Sequence, residues 1–463
     1  MIAVSIDIGS TWTKGALFEV EGGDLTLKKR AIHPTTIQHL AIGFFEVLND
    51  LLGSEHAIER VRSGEVSLSY SSSAKGGLAV AALGLVPSIT LESARVAAYS
   101  AGAKVTQIFS YRLTRSDIRA LESNPPDILL FAGGTDGGDV GHVLHNAELL
   151  AKSNVACSIV YAGNRAAQDD IVELLGHKDL VVVDNVLPSL DEPNPDPARK
   201  AMRDIFLKRI VKGKGLDEII EATGAEPLPT PYAVYEYAKL IHEKIPGWSD
   251  FILMDMGGAT TDIYSAHNQI QESGTILRGL PEPEVKRTVE GDLGMRVSAH
   301  VASETGRPMI EEHFAHDAER IAAFYSYIEK VTLEPDYLPE DQEGKDFDTL
   351  LAGVCAAYAC ERHAGRSTVV YTCDGSVDVV TGRDLTHVSK VIGSGGWMSR
   401  ASHFDVSAWL KLRAVDQKGR TVLLPGNVEY FRDEQYLFPL LANLARNFPE
   451  AAAFAGIRML SHS

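Results

Sequence analysis

Apolar positions fall into short continuous runs closed by glycine turns, alternating with stretches of helical spacing. Residues 1–9 (MIAVSIDIG) read as a buried strand ending in a glycine turn. Lys14–Val20 and Leu25–Ile32 follow as two more strands, so a three-stranded meander opens the protein. Ile37, Leu40, Ala41, Phe44, Phe45 and Leu48 then recur at helical spacing. Residues 65–73 read as a strand and 91–103 as a helix. From Asp127 a strand–helix alternation runs to about Leu187, with strands at 127–132, 157–161 and 180–183 and helices at 142–153 and 165–175. Alternation of this kind predicts a parallel sheet with helices on its faces.

PSLDEPNPDP (188–197) reads as a loop, with Asp196 and Pro197 starting a helix that Gly213 can end. EPLPTP (226–231) reads as a second break. Residues 251–255 (FILMD) then restart the opening pattern of buried strand, glycine turn and strand. Residues 334–346 read as an acidic loop and 348–365 as a helix, while the last 40 or so residues give no clear pattern. With 463 residues the chain exceeds one ordinary core. The expected division is a first lobe at 1–245, with an extra α/β segment around 124–190, and a second lobe at 246–463 with a C-terminal extension.

The formal net charge of −18 makes a broad attraction to nucleic acid or to an anionic membrane an unfavourable expectation. ATP remains compatible, because its phosphates need only local donors and a metal. No run of 18 apolar residues occurs and the N-terminus lacks a basic n-region, so a cytoplasmic location is expected. The four cysteines (157, 355, 360 and 373) form no C-x-x-C pair, so neither a zinc site nor a disulfide framework is expected.

The chemistry sits in a repeat. VSIDIGSTWTKGALF (4–18) aligns with ILMDMGGATTDIYSA (252–266), placing Asp7 on Asp255, Gly9 on Gly257, Ser10 on Gly258 and Thr13 on Thr261. The copies lie about half the chain apart, which points to a duplicated lobe. A carboxylate at the end of a buried strand needs a partner, and a magnesium ion or its waters can supply one to Asp7 and Asp255. Gly9, Gly257 and Gly258 let backbone N–H groups approach phosphate. Ser10, Thr11, Thr13, Thr260 and Thr261 add hydroxyls, and Lys14 adds a charge or else faces solvent. The competing reading is a hairpin turn whose Asp accepts backbone hydrogen bonds. No G-K-[ST] or G-x-G-x-x-G is present.

These loops resemble those of the actin, sugar-kinase and heat-shock-chaperone ATPase superfamily. Asp7-Ile8-Gly9-Ser10-Thr11-Trp12-Thr13-Lys14 matches its first phosphate loop, and Asp255-Met256-Gly257-Gly258-Ala259-Thr260-Thr261-Asp262 its second. Val391-Ile392-Gly393-Ser394-Gly395-Gly396 matches its adenosine glycine cluster, in the right order. The resemblance implies two duplicated actin-like lobes, with ribonuclease-H-like sheets, flanking a nucleotide cleft. It implies ATP and Mg2+ as cofactors, Asp7 and Asp255 holding the metal, and one of these carboxylates or Asp262 orienting the attacking water. The phosphate and adenosine contacts fall on Gly9, Ser10, Thr11, Thr13, Lys14, residues 257–261 (Gly257, Gly258, Ala259, Thr260 and Thr261) and residues 393–396 (Gly393, Ser394, Gly395 and Gly396). Glu290-Gly291-Asp292-Leu293-Gly294 is read as opening a helix, either near the nucleotide or as a plain turn and cap. Residues 133–138 (GGTDGG) either cradle an anion or form a flexible loop, with Asp136 as a further carboxylate.

Taken in order, IDIGSTWTKGALFEV, FAGGTDGG, DMGGATTDIYSA, EGDLGMR and VIGSGG resemble the glutamate mutase L accessory-protein family (MutL-type, unrelated to mismatch repair). That resemblance implies a reactivating chaperone whose partner is an adenosylcobalamin-dependent mutase or aminomutase. The chain lacks a D-x-H-x-x-G cobalamin motif, as befits a helper. Rival readings are a small-molecule kinase of the same fold, a hydantoinase-like hydrolase, and a nucleotide-gated scaffold. The oligomeric state is not legible.

Overall fold

The computed structural model describes residues 1–36, 38–53, 56–73, 78–210, 215–268, 274–373 and 375–462. Ile37 and Gly213 of the expected helix readings lie outside them. The chain divides into two compact units. The first comprises Met1–Tyr237, Gly279–Pro281 and Pro439–Ala455. The second comprises Ala238–Arg278, Glu282–Phe438 and Gly456–Ser463.

The first unit carries β1 (Ile2–Ile8), β2 (Trp12–Glu21), β3 (Asp24–Pro34), β4 (Val66–Ser72), β5 (Ala79–Gly84), β6 (Lys104–Ser110), β7 (Ile128–Phe131), β8 (Ser158–Tyr161), β9 (Leu180–Val182) and β10 (Leu228–Pro229). One sheet runs β10-β4-β1-β2-β3. β1, β2 and β3 form the antiparallel meander, while β4 is parallel to β1 and β10 parallel to β4. β1 is buried from Ala3 to Ile8, which explains its near-continuous apolar run. The helix Leu40–Leu52 buries Leu40, Ala41, Phe44, Val47 and Leu48, and ends on Gly53 at φ 63°.

The other sheet, β6-β5-β7-β8-β9, is wholly parallel. Period-two alternation splits its side chains between two cores. Leu83, Leu129, Phe131 and Ile159 pack with Leu121, Val143, Leu150 and Ile171 of the helices Arg115–Ser123, Gly141–Ala151 and Gln168–Leu175. Val80, Ala82, Ile128, Leu130 and Val160 join the core of the β1 sheet, with Ala94 and Met202 of the helices Thr90–Ser100 and Asp196–Ile210. Helices thus cover both faces, as the strand–helix alternation predicts.

The second unit carries β11 (Phe251–Met256), β12 (Thr261–Ala266), β13 (Thr275–Arg278), β14 (Val285–Glu290), β15 (Arg366–Thr372), β16 (Gly375–Thr381), β17 (Lys390–Ser394), β18 (Thr421–Val422), β19 (Glu429–Arg432) and β20 (Ser461–His462). Its main sheet runs β14-β12-β11-β17-β19-β20. β12 is antiparallel to β11 and β14 to β12, whereas β17 and β19 continue parallel to β11. The order β14-β12-β11-β17-β19 therefore repeats β3-β2-β1-β4-β10 strand for strand and direction for direction. The first-hairpin registers coincide as well, with Asp7 opposite Lys14 and Asp255 opposite Asp262. This is a duplicated ribonuclease-H-like sheet, and the fold is α/β of the actin-like class, as the resemblance implied. A smaller sheet runs β13-β16-β15-β18.

Three sequence readings need correction. Residues 290–294 do not open a helix: Glu290 ends β14, and the next helix starts at Ala299. The intervening backbone is drawn to the second glycine turn, where Met295 N–H and Arg296 N–H donate to Gly257 O (3.1 Å) and Gly258 O (2.8 Å), bonds a helix would forgo. EPLPTP is no simple break, for it holds β10 and the start of the helix Thr230–Lys244. Proline is tolerated there because β10 is an edge strand. The acidic loop ends sooner than expected: Asp341 accepts the Gly344 N–H and caps a helix running Gln342–His363.

That last helix is the pillar of the second unit, burying residues on every side from Leu350 to Cys360. At Gly353 a methyl group would overlap the Trp409 ring. Gly353→Ala should destabilise the protein by about 1–3 kcal/mol through overpacking, seen as a lower urea midpoint; an unchanged midpoint would show that Trp409 moves aside freely.

Candidate functional site

The two hairpin turns close in the same way. Gly9 N–H donates to Trp12 O (3.1 Å), and Gly257 N–H donates to Thr260 O (2.9 Å). Each turn continues a buried strand, so the preceding Asp is carried to the strand's inner end.

Asp7 is 2% exposed. Its Oδ1 accepts hydrogen bonds from Thr230 Oγ1 (2.7 Å) and Ser71 Oγ (3.1 Å). Ser71 lies beside Asp7 on β4, and Thr230 follows β10. Burial pushes the Asp7 carboxyl above the ordinary carboxylate range, against the pull of the Thr230 hydroxyl, the Lys14 charge and the Ser71 hydroxyl. Ser10 and Thr11 are exposed at the turn tip. Thr13 is buried and shares a hydrogen bond with Thr35 (2.9 Å). Its hydroxyl helps to hold the turn and is not displayed.

In the second unit Asp255 is half-buried and Gly258 exposed. Asp262 is committed to a buried ion pair, with Arg287 Nε donating to its Oδ1 at 2.8 Å. The Thr261 hydroxyl donates to Leu293 O (2.8 Å). The glycine cluster stands next to this turn, since Asp255 pairs with Ser394 across β11 and β17. Gly395 has φ +99°, and a methyl group there would strike the Met256 carbonyl, so only glycine lets the two turns lie this close. Ser394 Oγ donates to Asp433 Oδ2 (2.9 Å), and Asp433 also accepts the N–H groups of Leu437 and Phe438. The structure thus brings residues 255–262 and 393–396 together in the second unit, while 7–14 form their own turn in the first.

Sequence reasoning missed several supports. Arg296 forms a buried bidentate pair with Asp348 (3.0 and 2.9 Å), and Tyr327 OH donates to the same carboxylate (2.8 Å). Ser298 Oγ donates to Ala259 O (2.7 Å). The 295–298 strap therefore braces the second turn along its backbone. The stretch EGDLGMR (290–296) stands out in the sequence, but nothing in it signals that its end grips 257–259. Ser71, Thr230 and Asp433 carry no motif at all. Asp136 is held locally, accepting from Arg165 N–H and Asn185 Nδ2 (both 2.9 Å).

Among the described residues, no group of three or more His, Cys, Asp or Glu is arranged to hold a metal ion. No helix among them is long and apolar enough to cross a membrane. Cys157, Cys355 and Cys360 are buried and Cys373 is exposed, and none of the four is in a disulfide.

The fold and paired glycine turns define an actin-like two-lobed protein, and comparison with known proteins places it more closely. A family model described as MutL protein matches residues 3–457. Protein MutL of Clostridium tetanomorphum is 36% identical over 459 residues, covering 96% of both chains. This chain belongs to the MutL protein family. Among solved structures, nucleotide-free acetone carboxylase aligns with 96% of this chain and 70% of its own at 12% identity and TM-score 0.38. The activator of 2-hydroxyisocaproyl-CoA dehydratase from Clostridium difficile, with bound ADPNP, aligns with 98% and 97% at 9% identity and TM-score 0.30.

The raised Asp7 carboxyl fixes a sign. A carboxyl whose folded pKa exceeds its unfolded value contributes most stability below the unfolded value, about 3.9, and loses it as pH rises through the folded one. Asp7→Asn keeps an oxygen to accept from Thr230 and Ser71 and cannot ionise. In ligand-free protein its melting temperature relative to wild type should therefore climb from pH 4 to pH 8; a flat difference would mean that Asp7 ionises at no cost to the fold.

Proposed function

We propose that this protein is an ATP-binding and ATP-hydrolysing accessory chaperone that reactivates an adenosylcobalamin-dependent mutase or aminomutase. The observation that carries the nucleotide part is the repeated turn: in each unit a strand ends on an Asp in the same register, followed by a glycine whose N–H closes the same turn. Such a turn presents N–H groups and hydroxyls to phosphate oxygens. In this reading Ser10, Thr11 and Lys14 serve the phosphates from one turn and Gly258, Ala259 and Thr260 from the other, while Gly9 and Gly257, whose N–H groups close the turns, give them their shape. Gly396, where a side chain would meet only open space, leaves room for the adenosine, while Gly393 and Gly395 admit Tyr430 and the Met256 carbonyl and so set the shape of the cluster. Thr13, Thr261 and Ser394, whose hydroxyls are bonded within the protein, shape the turns from behind.

Asp7 and Asp255 are hard oxygen donors, two in number, which suits Mg2+ held mainly by water and phosphate. The ion would neutralise phosphate charge when bound. Asp7 or Asp255 orients the attacking water; Asp262, already engaged by Arg287, is the weaker choice and holds the turn through β12. Positioning and charge stabilisation by preorganised donors account for the rate. The reactivase part rests on membership of the MutL family. A cytoplasmic site of action belongs to the same reading.

Two measurements test it. Asp255→Ala should lower ATP hydrolysis by about 10²–10³-fold with an unchanged far-ultraviolet circular dichroism spectrum; near-normal turnover would remove the nucleotide site from these turns. Separately, a cobalamin mutase inactivated during turnover should regain activity with this protein, ATP and fresh adenosylcobalamin. No recovery with glutamate mutase or with any aminomutase would refute the reactivase role while leaving ATP binding intact.

A further inference from the structure

The parallel sheet of the first unit has a topology that the proposed function does not use. Taken in chain order from β5, its strands lie 2-1-3-4-5. This is a doubly wound, flavodoxin-like order, whose switch point falls between β5 and β7. In open sheets of this kind ligands bind outside the carboxyl ends of the strands at the switch point, because the flanking connections leave toward opposite faces. Here the connection after β5 leads to the helix Thr90–Ser100 on one face, and the connection after β7 to the helix Gly141–Ala151 on the other.

The glycine stretch 133–138 is that second connection. The hydrogen bonds between the carboxyl-end loops divide at the same place. On one side Tyr111 N–H, after β6, donates to Gly84 O at the end of β5 (3.1 Å). On the other, the loops after β8 and β9 hold the glycine stretch: Asn164 Oδ1 accepts Gly137 N–H (3.0 Å) and Asn185 Nδ2 donates to Gly134 O (3.1 Å). Both asparagines are buried. They hold the loop by the Gly134 carbonyl and the Gly137 amide and leave its inner amides unserved. Gly133 and Gly134 are buried, yet among the described residues their N–H groups meet no acceptor, and neither does that of Thr135. Buried unpaired amides are rare and call for an oxygen from outside the chain.

On the other side of β5, the carboxyl end of β6 presents Tyr111. Tyr111 sits at φ 62°, a conformation unfavourable for a bulky residue, and the residue is 54% exposed. Buried Asn146 clamps it there, donating to Tyr111 O (2.8 Å) and accepting from Leu113 N–H (2.7 Å). Strain maintained to display an aromatic ring is a mark of a binding surface. The loop's carboxylates are already engaged, Asp136 by Arg165 N–H and Asn185, Asp139 by His142.

We propose that this switch point is a second ligand site, taking a phosphomonoester that carries a planar ring: the phosphate oxygens accept from Gly133, Gly134 and Thr135, and the ring lies against Tyr111. The site is independent of the ATP reading, since none of its residues belongs to the 7–14, 255–262 or 393–396 turns.

FMN is a suitable probe, riboflavin is the same ring without the phosphate, and inorganic phosphate is the phosphate without the ring. Titrations of the full chain are run at saturating ATP, which fills the other turns if they bind it. The flavin result stands even if ATP does not bind. FMN should bind saturably at one per chain, at least tenfold tighter than riboflavin. Tyr111→Gly, which relieves the strain and deletes the ring, should weaken FMN at least tenfold and leave phosphate binding unchanged. Gly134→Ala, forced at φ +68° with its methyl group near Asp139 O, should weaken both. The proposal is overturned if neither FMN nor phosphate binds saturably, if riboflavin matches FMN, or if Tyr111→Gly leaves FMN affinity intact.

Discussion

A carboxylate cannot be left at the inner end of a buried strand without donors, and the first sheet is arranged to deliver them to Asp7. Its two hydroxyl partners come from β4 and from the residue after β10, the two strands that run parallel to β1 on the same side. Remove either strand and Asp7 loses a donor in a place where water is scarce. The parallel half of the sheet therefore does more than extend a core. The second sheet repeats the plan with a variation: Asp255 is half-buried, and Asp433, a buried acid just past β19, takes the hydroxyl of Ser394 on β17 and the N–H groups of Leu437 and Phe438.

Much of this was legible because the repeat is short-range. Strand, Asp, glycine turn and returning strand lie within about fifteen residues, so hydrophobic pattern and turn chemistry agree on them. What stayed hidden was long-range. Thr230 is 223 residues from the carboxylate it serves, and Asp348 is 52 from Arg296. No local signal marks such partners. β5 and β6 escaped notice as strands for another reason. AVAALG is built from small residues that suit a helix as well as a strand. β6 is an edge whose side chains are mostly half exposed, so its pattern is weak. β10 hid behind its prolines.

The second turn is held by more than its own glycines. Its amides suggested phosphate, but its carbonyls are spoken for by the 295–298 strap, itself pinned by Arg296 to Asp348 and Tyr327. A buried bidentate pair is poor evidence of stability by itself, since desolvation offsets most of its attraction. Its value here is geometric: with both ends fixed, the strap holds the turn's backbone in one place.

The chain crosses between its compact units more than once, and residues 439–455 return to the first unit after nearly all of the second has been laid down. Asn443 on this returning segment donates to Ile6 O (3.1 Å), and Tyr237 OH donates to Ala452 O (2.7 Å). The strand that bears Asp7 is thus made more than 400 residues before the segment that completes its set of neighbours. On the ribosome the first unit waits, incomplete, through the making of the second. Newly made chains must keep that early apolar strand from straying until its distant partner emerges.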